Sequence, residues 1–133
     1  MNINIGDTAS ITKVITQKDV EIFAQISDDL NPVHLDDSFA AKTIFGKRIA
    51  HGMLVGGLIS GVIGTKLPGR GSIYLSQIMS FKKPVYFEDT ITAVVKVIDI
   101  RDDKPIITLN TQCLNQNQDV VIEGEAVVMV PVE

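Results

Sequence analysis

Tryptophan is absent, cysteine occurs once, histidine twice, and aromatic residues make up only 5% of the chain. The lone Cys113 cannot close an intramolecular disulfide, and one Cys with two His is too small a donor stock for a structural zinc site. The expectation is a reducing, cytoplasmic setting with no metal. A basic excess is missing too: twelve Lys plus Arg stand against sixteen Asp plus Glu, a net charge of -4. Contacts to a phosphate backbone need the opposite balance, so no nucleic-acid partner is expected. No apolar stretch runs long enough to span a bilayer, and Met1 to Asp7 lack the basic start and apolar run of a signal peptide, so no membrane partner is expected either. Neither GxGxxG nor GxxxxGK(S/T) occurs, and no cofactor is implied.

What is present fits one folding unit, residues 1–133, with 45% hydrophobic residues and no repeat or linker. Thr16 to Asp19 offers an N-cap with an acid three residues on, and Val20, Phe23, Ala24 and Ser27 follow at helical spacing. The spacing predicts a short helix ending near Ser27. Pro32 disfavours helical geometry at Asn31, so Ser27 to Val33 reads as a turn, with a second short helix from Asp36 or Asp37 to about Thr43. Gly52 to Gly64 carries no charge and is apolar or small on every side, as expected of a helix surrounded by protein. Gly56, Gly57, Gly61 and Gly64 weaken it intrinsically, which points to a backbone or ligand in close approach, or simply to a tight core.

After Ser72 the period changes to two. Ile91, Ala93, Val95 and Val97 alternate with Thr92, Val94, Lys96 and Ile98, and similar runs cover 73–82, 106–114 and 120–130. Turn signals at 84–89, 101–105 and 115–119 suit antiparallel neighbours. The fold class is therefore α+β, with a fifth strand from Asp7 to Val14 completing a sheet that curls around the buried helix.

The densest cluster of reactive residues is Ser27 to His34, in the segment between the two short helices. A carboxylate at Asp29 and an imidazole at His34, held by a Pro-stiffened turn, could converge on one water and move its proton. Asn31 could hold the turn or orient one of them, although Asp, Asn and Pro also build turns with no chemistry attached. His51 is expected to cap or shape the turn into the glycine-rich helix. Cys113, inside an apparent strand, reads as small core filling.

Phe23-Ala-Gln-Ile-Ser-Asp-Asp29-Leu-Asn31-Pro32-Val-His34, with Ala40 six residues later, resembles the hydratase-2 motif of the MaoC-like R-specific enoyl-CoA hydratases. Arg48 to Met53, Gly71 to Leu75 and Ser80 to Val85 extend the resemblance over nearly the whole chain. One departure is Asp28, where the motif commonly has Gly, and its side chain is expected to point to solvent. The resemblance implies a hot-dog fold, a curved antiparallel sheet wrapped around a central helix, and a homodimer. It implies that Asp29 and His34 are the catalytic pair and that the backbone N–H of Gly52 donates to the substrate thioester oxygen. It also places Asn31, Ser60 and Ile63 at the substrate, the last two walling a short acyl pocket, with Val128 more simply a core residue. Lys47, Arg48, Arg70, Lys82 and Lys83 could meet coenzyme A phosphates, or be solvated surface.

The activity implied is reversible syn addition of water to a trans-2-enoyl-CoA, giving an R-3-hydroxyacyl-CoA. A dehydratase acting on acyl-carrier-protein substrates shares the chemistry, and the acidic balance argues mildly against it. Thioester hydrolysis on the same fold is disfavoured by the Asp29-Leu-Asn-Pro-Val-His34 string, and a non-catalytic acyl-CoA-binding subunit by the intact Asp29 and His34.

Overall fold

The computed structural model describes residues 2–131. Strand β1 (Thr8–Val14) leads into α1 (Gln17–Ser27), two short helices α2 (Pro32–Leu35) and α3 (Asp37–Ala41), and the long helix α4 (Gly52–Thr65). Four strands follow: β2 (Ile73–Phe81), β3 (Thr90–Ile100), β4 (Ile106–Leu114) and β5 (Val120–Met129). They join β1 in one antiparallel sheet of order β1-β3-β4-β5-β2, so β1 and β2 are the two edges. Register shifts at Tyr74/Ser76, Val97/Asp99 and Cys113/Leu114 mark irregularities of the kind that bend a sheet.

On β3 and β4 the alternation read from the sequence is the alternation of burial, whereas edge strand β2 is exposed at most positions on both faces. Ile91, Ala93, Val95 and Val97 on β3 and Ile107, Leu109, Thr111 and Cys113 on β4 are all fully buried, facing α4. Val55, Ile59, Val62 and Ile63 complete this core from the helix side. Burying each such side chain is worth about 1.5–3 kcal/mol, which outweighs the weak helix propensity of four glycines. The sheet around one central helix is the α+β hot-dog arrangement expected above. Cys113 is part of this core, its thiol pushed up to about 12 by burial, so it fills space and is not a nucleophile.

Three expectations need correction. α4 is not surrounded by this chain, because Met53, Gly57, Ser60 and Gly64 form an exposed face. Close approach explains only part of its glycine content: a Cβ at Gly56 would meet the Met79 sulfur at 2.8 Å, whereas Gly57 and Gly64 face open space. The turn from Ser27 to Val33 is also shorter than expected, since Asn31 caps α2 and Pro32 occupies its first turn, where a missing N–H is no loss.

Candidate active site

The capping box read at Thr16 is formed, with Thr16 Oγ1 accepting from the Asp19 N–H at 3.1 Å and Asp19 Oδ2 from the Thr16 N–H at 3.0 Å. It starts α1, and α1 ends where the chain reverses at Asp28 in the left-handed conformation, φ 61° and ψ 15°. That backbone accounts for the motif's preference for Gly; Asp is among the few residues that tolerate it. The Asp28 side chain is exposed, as expected.

Beyond this reversal, short-range hydrogen bonds fix the loop. Ser27 Oγ accepts the Asp29 N–H at 3.1 Å, Asp29 Oδ1 accepts the Asn31 N–H at 3.2 Å, and Asn31 Oδ1 accepts the Val33 N–H at 3.1 Å. The His34 N–H then donates to the Asn31 carbonyl at 3.0 Å. Each bond is worth only about 0.5–1.5 kcal/mol, but together they fix how the Asp29 carboxylate stands relative to α2. The segment before α4 is pinned from both sides: the Ile49 N–H donates to Val33 O at 3.3 Å and the Ala50 N–H to Val85 O at 2.7 Å.

These restraints bring Asp29, His34, His51 and Gly52 around one cavity of about 410 Å³. Its walls are mostly apolar, including Phe45, Val55, Phe81, Val85 and Ile122, with Lys82 and Lys83 also lining it. A carboxylate oxygen of Asp29 and nitrogens of His34 and His51 lie within 4.8 Å of one another. His34 is nearly buried, and its Nδ1–H donates to the Ile49 carbonyl at 2.7 Å. A carbonyl can only accept, so Nδ1 carries the hydrogen and Nε2 keeps its lone pair. Burial holds the imidazole below its usual range; the Ile49 bond opposes this, His51 reinforces it, and Asp29 opposes it weakly. His34 is therefore neutral near pH 7 and its Nε2 is a base.

The two imidazoles lie face against face, centroids 3.9 Å apart and planes 31° from parallel. One metal ion would have to sit near both ring planes, so this cluster suits a small hydrogen-bonded molecule better than a cation. Gly52 opens α4, where the first N–H groups have no intrahelical acceptor and the helix dipole is positive. A Cβ at Gly52 would lie 2.6 Å from two carbons of the Phe81 ring, so only glycine leaves both the helix start and this cavity wall in place.

Three sequence-derived substrate residues are not at this cavity. Asn31 spends its side chain capping α2, Ser60 lies on the exposed face of α4, and Ile63, 2% exposed, belongs to the same buried core as the fully buried Val128. Three of the candidate phosphate contacts are engaged: Arg48 Nε sits 2.8 Å from Asp37 Oδ1, Lys83 Nζ sits 3.3 Å from Asp119 Oδ2, and Lys47 lies over the Tyr86 ring. Arg70 follows the far end of α4, about 20 Å of helix away from Gly52. His51 occupies the N-cap position of α4, as expected, but makes no side-chain capping bond there.

The model for the MaoC-like domain matches residues 5–117. An (R)-specific enoyl-CoA hydratase of Aeromonas caviae is 47% identical over 130 residues, covering 98% of this chain and 97% of that protein. A protein of the same description from Rhodospirillum rubrum is 48% identical, covering 98% and 90%. The solved structure of an (R)-hydratase from A. caviae superposes with a TM-score of 0.95 at 47% identity, over 98% of both chains. Sequence and backbone thus agree from β1 through β5, and the chain belongs to the MaoC-like domain family.

Proposed function

We propose that this protein is an R-specific 2-enoyl-CoA hydratase, catalysing the reversible syn addition of water to a trans-2-enoyl-CoA. The observation that carries this reading is the single cavity lined together by Asp29, His34 and the start of α4 at Gly52. Its near-complete likeness to two (R)-specific enoyl-CoA hydratases supports it. A water held between the Asp29 carboxylate and His34 Nε2 donates a hydrogen bond to each, leaving an oxygen lone pair for C3 of the enoyl group, and gives up one of its two protons to the pair as it attacks. As the C3–O bond forms, the C2–C3 π electrons move into the thioester and charge accumulates on its oxygen as an enolate. The Gly52 N–H, fixed before reaction at the positive end of a helix, stabilises that charge. The enolate collapses by taking a proton at C2 from the same Asp29–His34 pair, on the face that water entered. Dehydration is the same path reversed.

Lys82 and Lys83, flanking the cavity, are the cations offered to the coenzyme A phosphates, Lys83 by exchanging its solvent-exposed ion pair with Asp119. The enzyme acts as a homodimer in the cytoplasm, as a single domain. Support for the dimer comes from edge strand β2, where Ile73, Leu75, Ile78 and Phe81 are exposed beside the open face of α4. Sedimentation equilibrium giving twice the 14.5 kDa chain mass is the expected result. Among the described residues no helix is long and apolar enough to cross a membrane.

The test of the reaction is loss of enoyl-thioester absorbance on adding crotonyl-CoA to wild type, Asp29→Asn and His34→Gln, with chiral analysis of the product. Rapid loss by the wild type alone, giving R-3-hydroxybutyryl-CoA, is expected. An inactive wild type on short, longer and carrier-protein enoyl substrates would end the hydratase reading.

A further inference from the structure

His51 is 1% exposed, a buried polar ring in a cavity wall that an apolar ring would fill equally well. Its Nε2 lies 3.0 Å from the Asp29 backbone oxygen. One ring face meets His34 at 3.9 Å, and Phe23 stands at 4.9 Å with planes 56° apart. Because the Asp29 carbonyl can only accept, Nε2 carries the hydrogen, and Nδ1 is left as a buried acceptor with no partner. Packing alone does not account for a side chain that leaves a buried nitrogen unpaired.

We infer that His51 is a positioning residue for the hydration step, donating from Nε2 to the Asp29 carbonyl and thereby tying the carboxylate-bearing loop to the start of α4, while its ring face backs His34. The inference deepens the hydratase reading and rests on it. The bond spans 22 residues and links the two catalytic sources directly, since His51 is the residue immediately before Gly52. One side chain therefore sets the distance from the water-binding carboxylate to the helix N-terminus that receives the enolate. Nδ1 faces no hydrogen-bond partner among the described residues, so the contact that ties the ring to the loop is the one made by Nε2. Each imidazole thus gives a ring hydrogen to a backbone carbonyl, Asp29 for His51 and Ile49 for His34. Only His34 uses its remaining lone pair on water.

The test compares His51→Phe, His51→Gln and His51→Asn on crotonyl-CoA, with kcat and KM measured separately and Tm recorded. Phe keeps the ring and loses the donor; Gln carries an amide N–H to the Nε2 position; Asn, one methylene shorter, falls short of it. A lost positioning contact should lower kcat by about tenfold or more in the Phe and Asn variants, with KM within about twofold and Gln recovering most of kcat. Gln and Asn equal in kcat, or Phe as fast as wild type, would overturn the inference while leaving the hydratase reading intact. If Phe does not fold, the Gln and Asn pair decides alone. A loss in all three that tracks Tm would assign His51 a purely structural role and overturn the inference too. An inactive wild type would overturn the hydratase reading, and this inference with it.

Discussion

The two ends of α4 are built from similar materials and do different things. At its N-terminal end, His51 and Gly52 meet Asp29 and His34 around the 410 Å³ cavity, with the helix N–H groups turned toward a site where negative charge develops. At its C-terminal end, a smaller cavity of about 270 Å³ is lined by Asn2, Asp7, Lys66 and Pro68 among others. There the helix ends in acceptors, and the chain itself occupies several of them. The Val62 carbonyl accepts from Lys66 and Leu67, the Ile63 carbonyl from Gly69 and the Ser72 hydroxyl, and Lys66 Nζ donates to Ser10 O at 2.7 Å. Among the described residues, an imidazole, a carboxylate and helix N–H groups without an intrahelical acceptor come together only at the donor end, where the proposed hydration needs them. The lesson is that direction along one helix, more than pocket polarity, decides which cavity can stabilise an enolate.

The sharpest way to break that comparison is to remove the bases at the donor end. Asp29→Asn and His34→Gln should each lower kcat/KM by at least ~10²-fold, because each side chain holds the water and belongs to the pair that moves its proton. Steady-state turnover of crotonyl-CoA reads this, and a residual rate near wild type in either would move the chemistry elsewhere. Next in size is Gly52→Ala, whose new methyl would strike the Phe81 ring at 2.6 Å. Since Phe81 is half exposed and can swing aside, the expected result is about a tenfold loss of kcat/KM from a displaced cavity wall, with a modest fall in Tm.

Charge at the rim should act on binding only. Replacing Lys82 and Lys83 together by Ala is expected to raise KM for crotonyl-CoA several-fold, about 1 kcal/mol, while kcat holds, with the difference shrinking as salt is added. The pH profile sharpens the account of His34. Its imidazole must be neutral to accept from water, and burial holds its pKa below the ordinary 6.5, so kcat/KM should stay flat from pH 8 down past 6.5 and fall only below. A fall that begins above 6.5 would mean a raised pKa and a different base. At the acceptor end, Lys66→Ala removes one exposed hydrogen bond to Ser10, costing about 0.5–1.5 kcal/mol or less and leaving kcat unchanged. An effect on kcat there would erase the contrast between the two ends.

Local physics made much of this legible in advance. The Thr16–Asp19 capping box, the Asp36 cap of α3, the uncharged glycine-rich helix and the period-two alternation of β3 and β4 depend on residues near one another in sequence. Asn31-Pro32 carried a further signal that was passed over, an Asx cap followed by Pro at the first helical position, and it opens α2. The Asp29 and His34 spacing marked the corner where the cavity lies.

Other features depend on partners distant in the chain. That His51 reaches back to the Asp29 carbonyl, that Arg48 is taken by Asp37, and that Ser60 lies open while Ile63 is buried could not be read from spacing. The sequence by itself determined most of the elements, the buried faces of β3 and β4 and the corner at which a carboxylate and an imidazole stand close together, because propensity, capping and periodicity act over a few residues. Only the tertiary structure decided which groups share a cavity, which nitrogen of each imidazole keeps its lone pair, and which face of α4 stays uncovered. Those are set by burial and by hydrogen bonds closed over many residues, and both exist only once the sheet has wrapped the helix.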